Sequence, residues 1–529
     1  MMITAPTPRR PHVKVRRAQR ALQAQVQQQT QDILAHGAAA AQLAAQAAAR
    51  THAGLSPAEV QAWISDLERR LLTIAHHPEH TLGEIEEQLA HSAREPLRLL
   101  AERAAQVKIN ATPCHCRECQ TALTHQKFLA RTVNSRFGDL RLWRPYGWCQ
   151  RCQTWQFPAD HALGLARNAP ASPYLQEISA LLVSKMPPEQ AVAVAERLGL
   201  VLPRSTLDRE AHRQGLKAQA LRTEAVAQLD TWEGLQTLAR HAEEPSPQPF
   251  TLVIEIDAWN IRERDDWGHT QTLRAQGQPP CRWHWVYLAT VFRLDHRAQT
   301  AGHRAVITQR GYVATRLGLE ALVPQLHHEA IRRGLGQAQR VLVIADGAVW
   351  IWNLVQDRFP TAAQQLDLYH ADEHLWAVAH ELHGRDTPEA RAWVAPLLQQ
   401  IRRDQTPDVI ATLAELKPRL LQAQQEKLQT QIEYFQHNTH RMRYRQILEA
   451  REACDQGTAT TEQLLLANQP LGSGAIESTC RQYQCRFKRT GQFWSLEGDE
   501  ALMCLETFWR NGRWHDLFPH AKAPSLANN

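Results

Sequence analysis

Residues 251–259 read TLVIEIDAW, and residues 341–347 read VLVIADG. Both are short runs of β-branched and aliphatic residues, the pattern of strands buried in a sheet. The hydrophobic stretch closes on an aspartate each time, Asp257 in the first and Asp346 in the second. Burying such a carboxylate without a partner costs several kcal/mol. If the two strands lie side by side, both carboxylates reach one sheet edge, where a divalent cation held by oxygen ligands offsets their repulsion. Further strands are expected at WHWVYLATVFRL (283–294), HRAVITQRGYV (303–313) and QQLDLYH (364–370). With helices between and after them, the order is three strands, helix, strand, helix, strand, helix, which predicts a mixed α/β domain. A Pro-rich linker, EEPSPQP (243–249), precedes it.

A third acid lies far downstream. Glu477 falls in GSGAIES (472–478), after a Gly-Ser-Gly break and in the first turn of an expected helix. A helix packed across the sheet could deliver it beside Asp257 and Asp346. Three oxygen-donor side chains can hold two magnesium ions about 4 Å apart, a site for phosphoryl transfer without a protein nucleophile. Taken singly, each acid has a plainer explanation: Asp257 as a turn cap, Asp346 as an arginine partner, Glu477 as an i to i+4 partner of Arg481. Asp265 and Asp266 compete with Asp257 but sit in the polar stretch RERDDWGH (262–269). Asp367, in LDLYH with His370, has the same strand-end placement and is a candidate for an auxiliary role.

The residues after Glu477 mix cations and rings. Arg481, Arg486, Lys488, Arg489 and Trp494, with Tyr483, Phe487 and Phe493, suit phosphate contact with base stacking, or else a helix with one solvated basic face and one buried aromatic face.

Upstream, Cys116 and Cys119 form one CxxC pair, and Cys149 and Cys152 form another. Two such knuckles let four thiolates converge on one zinc ion. The intervening TVNSRFGDLRLWRPYGW (132–148) reads as a β-hairpin turning at Gly138-Asp139, so the segment is expected to be a zinc ribbon. Cys114 is a nearby spare that could replace a ligand of the first pair. Arg131, Arg136, Arg141 and Arg144 on the hairpin could meet phosphates or form a solvated basic face. Further on, PEQAVAVAERLGLVLPRSTLDREAHRQG (188–215) gives two helices around a Gly199-containing break, the layout of a helix-turn-helix. Its second helix would carry Arg204, Arg209 and Arg213 towards a DNA major groove.

The 529 residues suggest several folded units, and 43% hydrophobic with 22% charged residues is ordinary for a globular protein. The net charge of +6 permits a polyanionic partner without demanding one. Ten cysteines are too sparse for a disulfide scaffold and, paired at CxxC spacing, fit a reducing compartment. No apolar run approaches a bilayer span, and the basic N-terminus is followed by Ala and Gln rather than an apolar stretch, so a cytoplasmic location is expected.

Three separated motifs then agree in order: EIDAWNIRERDDWG (255–268), VLVIADGAVWIWNL with DLYHADEHLW (341–354 and 367–376), and LGSGAIESTCRQYQCRFKRTGQFWS (471–495). Over roughly residues 110 to 515 the chain resembles the ISKra group of bacterial insertion-sequence transposases, within the three-carboxylate DDE class. The resemblance implies an RNase H-like catalytic domain, dependence on magnesium or manganese, and recognition of terminal inverted repeats in double-stranded DNA. It also implies that Asp257, Asp346 and Glu477 are the three acids in order. The separation of 131 positions from Asp346 to Glu477 exceeds what a minimal domain of that kind needs, so a helical insertion is expected.

The organisation expected is a basic tail (1–20), a helical region (21–109), the zinc ribbon (110–168) and a helical segment with the candidate helix-turn-helix (169–245). The catalytic domain follows (246–385), with a helical insertion (386–466) and its C-terminal helices (467–529). The expected activity is DNA cleavage and strand transfer to target DNA by a dimer or larger assembly on the bacterial nucleoid. The rival readings are a non-catalytic DNA-binding regulator and a nuclease of the same fold. The first does not account for carboxylates beside a polyanion; the second differs only in failing to join strands.

Overall fold

In the computed structural model, residues 24, 27–28, 31, 56–77, 79–242, 248–264, 268–299 and 305–520 are described. The basic tail expected at 1–20, most of the helical stretch from 21 to 55, and Asp265 and Asp266 lie outside these residues. The chain divides into two compact units, one of Met1–Leu175 with Ala195–Val201, the other of Gln176–Val194 with Leu202–Asn529. Of the segment expected as a helical domain, 169–245, most falls in the second unit. Among the described residues no helix is long and apolar enough to cross a membrane.

In the first unit, helices Pro57–Ala75 and Leu82–Ala111 each start on a capping box, Ser56 with Glu59 and Thr81 with Glu84. They are followed by a three-stranded antiparallel sheet, β1 (Thr124–Ser135), β2 (Gly138–Cys149) and β3 (Thr154–Gln156). The hairpin forms as expected, but its turn lies at Arg136-Phe137 rather than at Gly138-Asp139, because Ser135 already pairs with Gly138 and Asn134 with Asp139. Gly138 takes φ +126°, which a side chain would strain. Two of the hairpin arginines are not available to phosphates: Arg131 (2.9 Å) and Arg144 converge on Asp160, with side chains only 10% and 9% exposed. Arg136 and Arg141 remain exposed.

In the second unit, β-branched runs give a five-stranded sheet in the order β10-β9-β4-β5-β8. The strands are β4 (Thr251–Glu263), β5 (Arg282–Arg293), β8 (Gly311–Thr315), β9 (Arg340–Ala345) and β10 (Ala363–Leu366). β4 pairs antiparallel with β5, and β5 with β8; β9 runs parallel to β4, and β10 parallel to β9. A small β6–β7 hairpin (Arg297–Gln299, Ala305–Ile307) takes part of the expected third strand. Helices Leu319–Arg332, Val349–Arg358 and Leu368–His383 follow β8, β9 and β10, so the expected alternation of elements is found. Both faces of β4 and β9 are covered, as parallel pairs require.

Leu252, Ile254, Ile256, Val343 and Ala345 point into the main core. That core continues without a break through Val394, Leu397, Ile401, Leu413, Leu428, Phe435 and Tyr444. The region between β10 and GSGAIES does consist of helices, Pro388–Arg402, Thr406–Leu416, Gln422–Asn438, Arg445–Asp455 and Thr461–Ala467, and they share the sheet's own core. Each such fully buried aliphatic side chain contributes roughly 1.5–3 kcal/mol. The opposite face of the sheet buries Val253, Phe292, Leu342 and Ile344, with Ala475 packed against them.

Candidate active site

The parallel register pairs Glu255 of β4 with Ile344 of β9. Two residues further along both strands stand Asp257 and Asp346. Because side chains alternate along a strand, both follow Val253, Glu255, Leu342 and Ile344 onto one face, just past the end of the parallel β4–β9 pairing: Asp257 midway along β4 and Asp346 one residue beyond β9. The chain leaves β4 for β5 and β8 on one side and returns as β9 on the other. The pair therefore sits where the strand order reverses, the crevice in which open α/β sheets hold ligands.

Asp257 is partly buried. Its Oδ1 accepts the Ala258 N–H at 2.6 Å, and the Cys480 thiol lies 3.3 Å from its Oδ2. Burial holds its pKa above the usual carboxylate range, and the charge of Asp346 pushes the same way. Asp346 accepts the Ala348 N–H at 2.9 Å. Gly347 beside it is required by space, because a Cβ there would collide with the Tyr434 ring.

Glu477 arrives on helix Gly474–Phe487, which crosses the face bearing both aspartates. Two buried carboxylates hold the start of that helix. Asp367, fully buried, accepts from the Ser473 N–H (2.6 Å) and hydroxyl (2.5 Å) through Oδ2, and through Oδ1 from the Tyr369 and His370 N–H groups. Glu255 accepts the Ile476 N–H at 2.7 Å, and burial pushes its carboxyl up to about 8. Gly472 is needed for this approach, since a Cβ would lie 2.6 Å from the Tyr369 ring and 2.7 Å from Asp367 Oδ1. Glu477 itself is 37% exposed and meets Arg481 only at 3.8 Å. Burial raises its pKa first, then the charges of Asp367 and Asp257, while His370 opposes them.

Asp257 and Asp346 thus stand on adjacent strands and Glu477 on the helix that crosses them, though among the described residues only the four cysteines named below bring metal-ligating atoms within 4.8 Å of one another; Asp367 has its oxygens committed to donors. Glu255 went unnoticed, although an acid in mid-strand of an apolar run is itself a signal that a donor must face it.

The expected nucleic-acid contacts divide. Arg481 (81% exposed), Lys488 and Arg489 lie at the surface. Arg486 and Trp494 do not: Arg486 is buried and donates to the Val183 carbonyl (2.8 and 3.1 Å), with its guanidinium over the buried Trp494 ring. These two are corrected to packing residues, because their charge and ring are used inside the protein.

In the candidate helix-turn-helix, helices Pro188–Arg197 and Arg204–Ala227 form as expected. Arg209 is exposed, Arg204 pairs with Glu189 at 2.6 Å, and Arg213 grips the buried Glu210 at 2.9 and 3.0 Å. The buried face of the longer helix packs on helix Leu496–Arg510, where a Cβ at Gly215 would lie 2.6 Å from that of Ala501. Periodicity also passed over Trp283 and Trp285, which are 56% and 53% exposed. Arg262 and Lys488 stand over the Trp283 ring at 5.4 and 5.5 Å.

In the first unit, Cys116, Cys119, Cys149 and Cys152 bring their sulfurs within 4.8 Å of one another, at 3.7 Å for Cys116–Cys152 and 3.5 Å for Cys119–Cys149. Four thiolates bonded tetrahedrally to zinc at about 2.3 Å sit about 3.8 Å apart, so the set fits that ion. Each knuckle is closed by a glutamine in the left-handed region, Gln120 at φ 59° and Gln153 at φ 54°. The Thr121 hydroxyl, 3.3 Å from Cys119, brings that thiol down to about 6. Cys114 stands outside the set. The chain matches no protein-family model, and none of the curated proteins matches it.

Proposed function

We propose that the protein is a DNA transposase of the three-carboxylate type, cutting phosphodiesters at the ends of an insertion sequence and joining the freed ends to target DNA. The observation that carries this reading is the β4–β9 register, which sets Asp257 and Asp346 side by side with the Glu477 helix across them. The sheet order supports it as well. Three antiparallel strands, β4, β5 and β8, followed by two parallel ones added on the far side of β4, are what an RNase H-like domain has.

Asp257, Asp346 and Glu477 would hold magnesium or manganese, which supplies activation of the attacking oxygen and stabilisation of the leaving one. The residues suit such ions: all three donors are carboxylate oxygens, and two are held above their usual pKa by burial and by neighbouring carboxylates, Asp257 by Asp346 and Glu477 by Asp367 and Asp257. The polypeptide's own part is to hold these acids in place. Glu255 and Asp367 fix the helix that carries Glu477, and Ala258 and Ala348 N–H groups orient the two aspartates. Four cysteines would hold a structural zinc in the first unit. Surface cations such as Arg481 and Lys488 suit contact with phosphates. Joining two element ends calls for at least a dimer.

The test is nicking and strand transfer on DNA carrying the element's ends, with magnesium or manganese. Asp346→Asn should abolish both while leaving DNA binding intact. Undiminished cleavage by that variant would overturn the assignment; cleavage by the unaltered protein without joining of a pre-cut end would make it a nuclease instead.

A further inference from the structure

A cavity of about 1360 Å³ opens beside the first turn of helix Gly474–Phe487, on the other side of that turn from the three acids. Gly474, Ala475 and Ser478 line it, whereas Glu477 and Cys480 of the same helix face Asp257. Three arginines from three different elements enter it: Arg297 from β6, Arg310 from the turn before β8, and Arg451 from helix Arg445–Asp455.

Each guanidinium is held by backbone or amide oxygens rather than by a carboxylate. Arg297 donates through one terminal nitrogen to the Asn468 carbonyl (2.7 Å) and side-chain oxygen (2.6 Å). Arg451 donates to the Ala467 (3.1 Å) and Gln469 (2.8 Å) carbonyls. Arg310 donates to the Ala475 carbonyl (3.2 Å) and more distantly to Thr479 (3.4 Å), and its buried Nε has no partner. Among the described residues none of the three forms an ion pair. A carbonyl fixes a guanidinium in place without cancelling its charge, so three positioned cations converge with donors to spare. The carboxyls that line the space are Glu255, which accepts the Ile476 N–H and lies near enough to Arg297 and Arg310 to act on their charge, and Asp455, exposed at the rim. The exposed Tyr369 ring lines the same space beside Arg451.

We infer that this cavity is a second binding site, for phosphate groups of the DNA strand that passes the three acids, gripped by Arg297, Arg310 and Arg451. The inference rests on the reading of the protein as a DNA-cutting enzyme only for its choice of strand; the chemistry recognised is a phosphate diester. A site on the other side of that turn from the acids fixes the strand without touching the reacting group, and an aromatic ring at its wall suits a base stacked beside the gripped backbone.

The experiment uses the full chain in chelator, which withholds the magnesium or manganese that turnover would need, and a fluorescent oligonucleotide titrated at several salt concentrations. Each neutralised phosphate contributes about 0.7 (single strand) to 0.9 (duplex) to the slope of log K against log salt. Arg297→Gln, Arg310→Gln and Arg451→Gln should each lower that slope by roughly this amount, and the Lys variants at the same positions should keep most of it. A variant that fails to fold is replaced by its Lys counterpart combined with Tyr369→Ala, which should weaken binding to single-stranded ends.

Inorganic phosphate alone is titrated in parallel. If the phosphate ion binds and the Gln changes abolish only that, the site serves a free anion and the inference falls. It falls equally if all three Gln variants keep the unaltered slope. Failure of the cleavage reading is separate: Asp346→Asn then has no effect on turnover, while the salt slopes still report on the arginines.

Discussion

Replacing Asp367 by asparagine separates an anchoring acid from a metal-gripping one by the sign of its effect. In the native arrangement Asp367 Oδ2 takes two short hydrogen bonds from Ser473, and Oδ1 caps helix Leu368–His383. Asparagine keeps the capping oxygen but turns an NH₂ group towards the Ser473 N–H, leaving a buried donor facing a donor. The Ser473 hydroxyl can rotate to accept; the backbone N–H cannot. Hydrogen bonds to charged groups are worth about 1.5–3 kcal/mol, and an unsatisfied buried group costs about 1–3. The loss should therefore be roughly 2–4 kcal/mol.

At about 2 °C per kcal/mol, the low end of the range for domains of ~150–250 residues, this is a drop of roughly 4–8 °C in the melting temperature without added metal. Asp257→Asn and Glu477→Gln should behave oppositely. Both acids are raised above their usual pKa, so their ionised forms are strained, and neutralising them should leave the metal-free melting temperature unchanged or raise it. The assay is a set of thermal melts in chelator, repeated with magnesium. If Asp367→Asn melts as high as the unaltered protein, or higher, Asp367 does not anchor the Glu477 helix and the assignment of roles here is wrong.

Other outcomes are equally specific. Cys149→Ser should remove most of the zinc measured by elemental analysis and make residues 110–168 protease-sensitive; a full zinc content in that variant would rule out the four-cysteine site. Arg486→Gln should lower stability by about 1–3 kcal/mol, because the Val183 carbonyl loses its donor, yet leave the salt dependence of DNA binding unchanged; a shallower salt slope would return Arg486 to the surface. Asp499, buried against Glu263 and Glu500, is pushed up to about 9. The folded state holds its proton where the unfolded state does not, so stability should fall as pH rises from about 4 to about 9. Asp499→Asn should flatten that part of the curve, and parallel melting curves for the two proteins would contradict the assignment.

Much of this site was legible because strands announce themselves. VLVIAD and TLVIEID specify buried strands by composition, and a parallel register then follows from an intervening helix, so Asp257 and Asp346 could be paired before any coordinates. The CxxC pairs were legible for a similar reason, since local spacing encodes the knuckle. Side-chain fates set by tertiary contacts were not. Nothing near Arg486 in sequence shows that the Val183 carbonyl needs a donor, and nothing near Arg131 or Arg144 shows Asp160 between them. An arginine in a basic stretch reads the same whether its partner is a phosphate or a distant carbonyl. Asp367 was ambiguous in the same way: its placement suggested chemistry, and only the fold reveals that it, like the unnoticed Glu255, spends its oxygens on a helix terminus.

The helices between Pro388 and Ala467 share the buried core of the sheet. They cannot be treated as a removable module. Trimming the chain by excising them would strip Leu366, Leu375 and Val378 of their cover and present an oily wall to water, so a shortened chain would clump unless new surface residues were supplied. Tolerance to shortening should instead concentrate at the exposed ends of those helices, around Gly384–Thr387 and Gly457–Thr460, where chain length can change without opening the interior.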